Sequence, residues 1–201
     1  MNIRKIVITG GPCGGKTTGM NKIQEAFTAL GHTVLFIHET ATELISGGVS
    51  PWTCSSNGEY QKCQMKMQIE KEKIYEYAAK TMDAENILIV CDRGTLDNKA
   101  YMTEADYANA LNYIDTDEDS LLKSYDAIFH LVTAAKGAAE FYTTSNNSAR
   151  TETIEEAIAI DDKLIAAWAN HPSLHIIDNA GDFDTKINNL ISKIKQSLRV
   201  N

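Results

Sequence analysis

Gly10-Gly11-Pro12-Cys13-Gly14-Gly15-Lys16-Thr17 decides the fold, because it fits the phosphate-binding pattern G-x-x-x-x-G-K-[ST] in full. Its flanks fit as well. Residues 3–9 carry Ile3, Ile6, Val7 and Ile8 and read as a short buried strand. After Lys16 the apolar residues recur at helical spacing (Met20, Ile23, Ala26, Phe27, Leu30), and Gly31 supplies a stop. Strand, glycine-rich loop and helix in that order are the context that gives the motif its meaning.

Each residue type in the loop has a physical task. Glycines let the backbone turn tightly with its N–H groups facing inward, a nest for anionic oxygens. The following helix adds unpaired N–H groups and the positive end of its dipole. Lys16 can reach the β- and γ-phosphates of a nucleoside triphosphate, and Thr17 can offer its hydroxyl to Mg²⁺. The expected nucleotide contacts are therefore Gly10, Gly11, Pro12, Cys13, Gly14, Gly15, Lys16, Thr17 and Thr18.

Outward from the loop, apolar β-branched runs alternate with helical patterns. Strands are expected at 3–9, 33–38, 86–91, 127–132 and 173–177, and helices at about 16–30, 58–82, 153–169 and 184–198. The last helix places Ile187, Leu190, Ile191, Ile194 and Leu198 on one face. Continuously apolar strands separated by helices imply a three-layer α/β fold around a five-stranded, mostly parallel sheet. The 201 residues suit a single domain over 1–201. Ligands of such sheets bind beyond the carboxyl ends of the strands.

Ile87-Leu88-Ile89-Val90-Cys91-Asp92 is an apolar strand ending in a carboxylate, so Asp92 is expected to share Mg²⁺ with Thr17. Arg93 follows at once. Of four arginines, Arg4 and Arg199 lie near the termini, while Arg93 and Arg150 fall where guanidinium groups would clamp phosphoryl oxygens, the alternative being surface ion pairs, for Arg93 with Asp97 or a nearby Glu. Glu39, at the end of the second strand, is the candidate general base for an attacking hydroxyl, with a solvated helix-cap acid as the alternative. The expected catalytic set is Lys16, Glu39, Asp92, Arg93 and Arg150. Trp52, Tyr60 and Tyr101 could stack on a substrate ring or belong to the core.

Composition excludes several classes. A net charge of −8 argues against a dedicated nucleic-acid protein. No apolar run approaches the ~18 residues of a membrane span, and the apolar run at the start is too short for a signal peptide. Four cysteines without C-x-x-C spacing point to a reduced, cytoplasmic setting. Asp92-Arg93-Gly94-Thr95 has Thr where a guanine-nucleotide switch needs Gly, and Thr133-Ala134-Ala135-Lys136 replaces its Asn-Lys-x-Asp. Lys62, Lys66, Lys73 and Lys80 fall within about 40° on the long helix. That stripe suits either solvent or an anionic lipid headgroup, with Tyr60, Cys63, Met67, Ile74 and Ala78 taken as the core side. The polar stretch 133–152 suits a lid or a plain surface connection.

Together, Gly10 to Thr18, His38-Glu39-Thr40-Ala41-Thr42-Glu43, Cys91-Asp92-Arg93-Gly94-Thr95-Leu96-Asp97 and the stretch from Ser145 to Asp162 resemble the NadR-like AAA ATPase domain family, closest to its TRPL translocation-defect protein branch. The resemblance implies a P-loop NTPase fold related to nucleoside and nucleotide kinases. It implies ATP, or GTP, with Mg²⁺ as cofactors, Gly15, Lys16, Thr17 and Asp92 as contacts, and Glu39, Arg93 and Arg150 as candidates. One relative phosphorylates nicotinamide riboside, and the translocation-defect branch is associated with GTP and phosphoinositide. The expected activity is transfer of a phosphoryl group from ATP to a small hydroxyl acceptor, with a nucleotide-binding regulator that meets phosphoinositide as the alternative.

Overall fold

The computed structural model describes residues 1–137 and 153–200. Five strands form one sheet: β1 (Asn2–Gly10), β2 (Thr33–Ile37), β3 (Asn86–Asp92), β4 (Ala127–Leu131) and β5 (Leu174–Ile177). Their order is β2-β3-β1-β4-β5 and every pairing is parallel. The expected strands all appear, each within a residue or so of its predicted ends. The sheet is wholly parallel rather than mostly so.

Alternate residues of one strand serve two cores, which is why the strands are apolar throughout. Ile6 and Ile8, with Leu88, Val90, Phe129 and Leu131, pack with Ile23 and Phe27 of α1 (Lys16–Ala29) and Leu190 and Ile194 of α7 (Phe183–Leu198). Val7, Ile87, Ile89, Cys91 and Ile128 face the other way. There they meet Met65 of α3 (Asn57–Thr81), Leu96 of a 3₁₀ segment (Thr95–Tyr101), and Ala167 and Trp168 of α6 (Ile154–Trp168). The result is the three-layer α/β arrangement that the sequence predicts.

Three helices lie outside the expected set: α2 (Thr40–Ser46), α4 (Glu104–Ile114) and α5 (Glu118–Lys123). Two of them carry side-chain caps. The Thr103 hydroxyl accepts from the Asp106 amide and the Asp117 carboxylate from the Ser120 amide, the usual N-cap arrangement. The capping box expected ahead of α6 is present, with the Thr153 side chain and the Glu156 carboxylate exchanging bonds with each other's backbone.

The face of α3 needs correction. Cys63 is exposed, Ile74 is 63% exposed, and the buried positions include Gln61, Met65, Gln68, Glu72 and Ala79. Tyr60 is buried as expected. The expected face followed the apolar residues, but this helix turns Gln68 and Glu72 inward, where Thr40, Arg93, Lys5 and Tyr125 supply partners for them. On its outer side, Lys62 pairs with Glu59, and Lys66 and Lys73 both pair with Glu70. Among the described residues no helix is long and apolar enough to cross a membrane.

Candidate functional site

The phosphate loop leaves β1 at Gly10 and enters α1 through Gly15, a left-handed residue at φ 91° that caps the helix without a side-chain bond. A side chain here would be strained by that φ, and its Cβ would stand 2.7 Å from the Phe183 ring. Cys13 also takes a positive φ, 56°. Inside the loop the Gly14 amide donates to the Gly11 carbonyl at 3.3 Å. Thr17 and Thr18 at the start of α1 are exposed, and Lys16 is partly buried.

Lys16 has no ion-pair partner within 4 Å among the described residues. Burial, followed by the Arg93 charge, pushes its ammonium below the usual lysine range, while Asp92, Glu39 and Asp97 pull the other way. A partly buried cation without a close counter-ion is poised for an anionic ligand.

Asp92 ends β3, which pairs directly with β1 so that Asp92 lies in register with Ile8. Its Oδ1 is buried and has no hydrogen-bond partner among the described residues. Burial raises its carboxyl above the ordinary range despite the nearby Lys16 charge. An orphaned carboxylate oxygen near the loop cation, together with the exposed Thr17 hydroxyl, is a hard-oxygen donor set that fits Mg²⁺.

Arg93 and Glu39 form the second half of the site. Arg93 Nε donates to Glu39 Oε1 at 2.6 Å, and its Nη1 lies 3.7 Å from Asp97 Oδ2. That Nη1 is buried without a hydrogen-bond partner among the described residues. Burial would raise the Glu39 carboxyl, but the Arg93 and Lys16 charges and the Thr42 hydroxyl outweigh it and hold it at about 2. Glu39 therefore stays ionised. A carboxylate so acidic is a strong hydrogen-bond anchor and a weak proton acceptor. Asp97 is fixed by the Thr9 hydroxyl at 2.7 Å and the Trp168 indole N–H at 2.6 Å. Lys16, Glu39, Asp92 and Arg93 thus converge at the carboxyl end of the sheet. Arg150, and most of the stretch proposed as a lid, lie outside the described residues.

The sequence did not reveal Asp161. This carboxylate, wholly buried on α6, accepts from the Gly11 amide at 3.0 Å, the Thr133 amide at 3.1 Å and the Lys136 ammonium at 2.8 Å, and it bonds His130 Nε2 at 2.9 Å. Burial would raise its carboxyl, yet these partners hold it at about 2. A further tie runs from the Thr133 hydroxyl to the Pro12 carbonyl at 2.5 Å. Beyond β5, the Asn179 amide donates to the Thr133 and Lys136 carbonyls at 2.8 and 2.6 Å. The buried Lys186 ammonium donates to the Asn179 side-chain oxygen at 2.7 Å and the Val132 carbonyl at 2.6 Å. Three chain segments that approach the loop are thereby locked to one another. Only the Ser145-to-Asp162 stretch of the sequence hinted at this, and not at which of its acids turns inward.

No curated protein matches the chain. A family model described as an AAA domain matches residues 5–186, which takes in the phosphate loop, most of β1, the other four strands and the Asp161 helix. The chain belongs to this AAA-domain family, whose P-loop NTPase-like architecture is of the nucleotide-binding kind.

Proposed function

We propose that the protein binds ATP with Mg²⁺ and transfers its γ-phosphoryl group to a small hydroxyl acceptor, nucleoside-like or otherwise. The observation that carries this reading is the Glu39–Arg93 ion pair beside Lys16 and Asp92 at the mouth of the phosphate loop. Asp92 and Thr17 would hold Mg²⁺, which when bound neutralises phosphate charge. Lys16 and the loop amides grip the triphosphate. Arg93 Nη1, which makes no hydrogen bond among the described residues, is the donor offered to the moving phosphoryl oxygens, with Arg150 as a second guanidinium.

Glu39 accepts a hydrogen bond from the attacking hydroxyl and fixes its line of approach. The acceptor oxygen bonds to the γ-phosphorus as the bond to the β-bridging oxygen breaks, and the hydroxyl proton is lost late in the step to water, Glu39 orienting the hydroxyl without taking its proton. A loose transition state asks little of a base, so orientation and charge neutralisation supply the rate. The resemblance to NadR-like domains supports the same chemistry and belongs to this proposal, as does a cytoplasmic setting.

A second reading has one observation in its favour. A carboxylate held at about 2 suits a nucleotide-binding regulator with slow hydrolysis, since nothing then strips the acceptor proton. Its phosphoinositide arm draws less support, because Lys62, Lys66 and Lys73 are matched by Glu59 and Glu70 on their own helix. Incubation with Mg-ATP or Mg-GTP and a panel of nucleosides, followed by mass spectrometry, separates the two. A phosphorylated acceptor is the expected result; slow release of inorganic phosphate with every acceptor unmodified would replace the first reading with the second.

A further inference from the structure

The buried face of α3 carries Gln61, Gln68 and Glu72, where an amphipathic helix would ordinarily turn apolar groups. Such burial is costly unless the polar atoms find partners; Gln61 Oε1 has none among the described residues, whereas Gln68 and Glu72 are fully engaged. Around Gln68 and Glu72 the partners are specific. Lys5 Nζ meets Glu72 Oε2 at 2.8 Å and Glu76 Oε1 at 2.5 Å. The other Glu72 oxygen accepts from the Tyr125 hydroxyl at 2.7 Å and from Gln68 Nε2 at 2.8 Å. Gln68 Nε2 also donates to the Arg93 carbonyl at 3.3 Å, and Gln68 Oε1 accepts from the Thr40 hydroxyl at 2.5 Å.

The Gln68 amide can sit only one way round. Turned over, its NH₂ would meet the Thr40 hydroxyl and its oxygen would face the Glu72 carboxylate. In the observed orientation a single side chain ties Thr40, the residue after Glu39, to the backbone of Arg93. Arg93 holds a left-handed φ of 69°, a conformation costing a non-glycine residue about 1 kcal/mol or more. Its N–H is pinned to the Ile8 carbonyl at 3.0 Å, and its carbonyl to Gln68. The strained residue is thus clamped on both peptide planes, one through the sheet and one through α3.

We propose that Gln68 and Thr40 are positioning residues for the Glu39–Arg93 pair, transmitting the fixed Lys5–Glu72–Tyr125 cluster to the site by one amide. The catalytic consequence rests on the phosphotransfer reading; the positioning does not. Without the Thr40–Gln68 link, α2 can shift against Arg93 and the 2.6 Å contact between Glu39 and Arg93 loosens. The phosphate loop takes no part in this cluster, so triphosphate affinity is expected to stay within about twofold.

The test is solvent exchange of the Arg93 Nε–H in ¹⁵N NMR of the full chain, the resonance being identified by its loss in Arg93→Lys. Thr40→Val removes one hydroxyl and is expected to speed exchange about tenfold, the loss of one hydrogen bond of roughly 1.4 kcal/mol. Thr40→Ser is expected to keep the wild-type rate, and Gln68→Leu to match or exceed Thr40→Val. Because Gln68→Leu strands the Arg93 carbonyl and can fail to fold, Thr40→Val with its serine rescue decides alone in that case. Unchanged exchange in Thr40→Val, or a serine variant as fast as the valine, overturns the proposal. If exchange speeds up as expected while the wild type phosphorylates no acceptor, the positioning stands and the kinase reading falls.

Discussion

Asp161 Oδ1 accepts the Gly11 amide at 3.0 Å, across 150 residues of sequence, so the first turn of the phosphate loop is held by a carboxylate on α6. Removing that carboxylate strands the Gly11 and Thr133 amides, His130 Nε2 and part of the Lys136 pairing. Asp161→Ala is expected to cost about 3–5 kcal/mol, the usual penalty for breaking a buried charged network. Urea unfolding measures it. Gly11→Ala should act in the same direction, because its Cβ would lie 2.7 Å from Asp161 Oδ1.

Acid should expose the same carboxylate. Its pKa lies at about 2 in the folded chain, below the ordinary aspartate value near ~4. A depressed pKa contributes stability that is fully present above the unfolded value and is lost as pH falls through the folded one. Wild type should therefore lose on the order of 2 kcal/mol from Asp161 between about pH 5 and pH 2. Asp161→Asn should lack that part of the slope, so the stability gap between the two proteins narrows on acidification. Melting temperatures across this range read it; a constant gap would contradict the assignment.

Lys16→Ala deletes the loop cation while leaving the main-chain cradle in place. Triphosphate affinity should fall about 10- to 100-fold, the worth of one charge-assisted bond. Calorimetric titration with Mg-ATP and Mg-GTP measures the loss and ranks the two bases.

Arg93→Lys keeps the charge but loses the guanidinium fork that reaches both Glu39 and Asp97. On the phosphotransfer reading, turnover should fall about 100-fold or more with nucleotide affinity little changed. The Glu39 carboxyl should climb back toward its ordinary range, since the first opposing charge has moved away. Steady-state kinetics at saturating nucleotide checks the first statement, and ¹³C carboxyl titration the second.

A stability control lies far from the site. Asp115 caps α4 in a left-handed conformation at φ 53° and is exposed. Asp115→Gly should stabilise the chain by about 1 kcal/mol, by removing the steric cost of that conformation. No change in nucleotide affinity is expected.

Much of the fold was legible because its signals are local. Ile6, Val7 and Ile8 in a row announce a strand covered on both sides, and the Lys16 helix follows by apolar spacing. The helices that went unread, α2, α4 and α5, are short, and α5 carries only Leu121 and Leu122 into the core. Their signal was in caps such as Thr103 and Asp117 rather than in periodicity. In the site, Lys16 and Asp92 followed from a motif and a strand end. Glu39 and Arg93 could be named as separate candidates, while their 2.6 Å ion pair could not.

The sequence alone determined the parallel α/β sheet and the phosphate loop at the carboxyl end of β1, since both depend on contiguous residues and on spacing within single elements. Tertiary structure decided which polar groups turn inward: Gln68 and Glu72 on α3, Asp161 on α6, and the left-handed turn at Arg93. The physical reason is hydrogen-bond satisfaction. A polar side chain may be buried only where distant segments supply its partners, and those partners become neighbours only once the sheet has assembled.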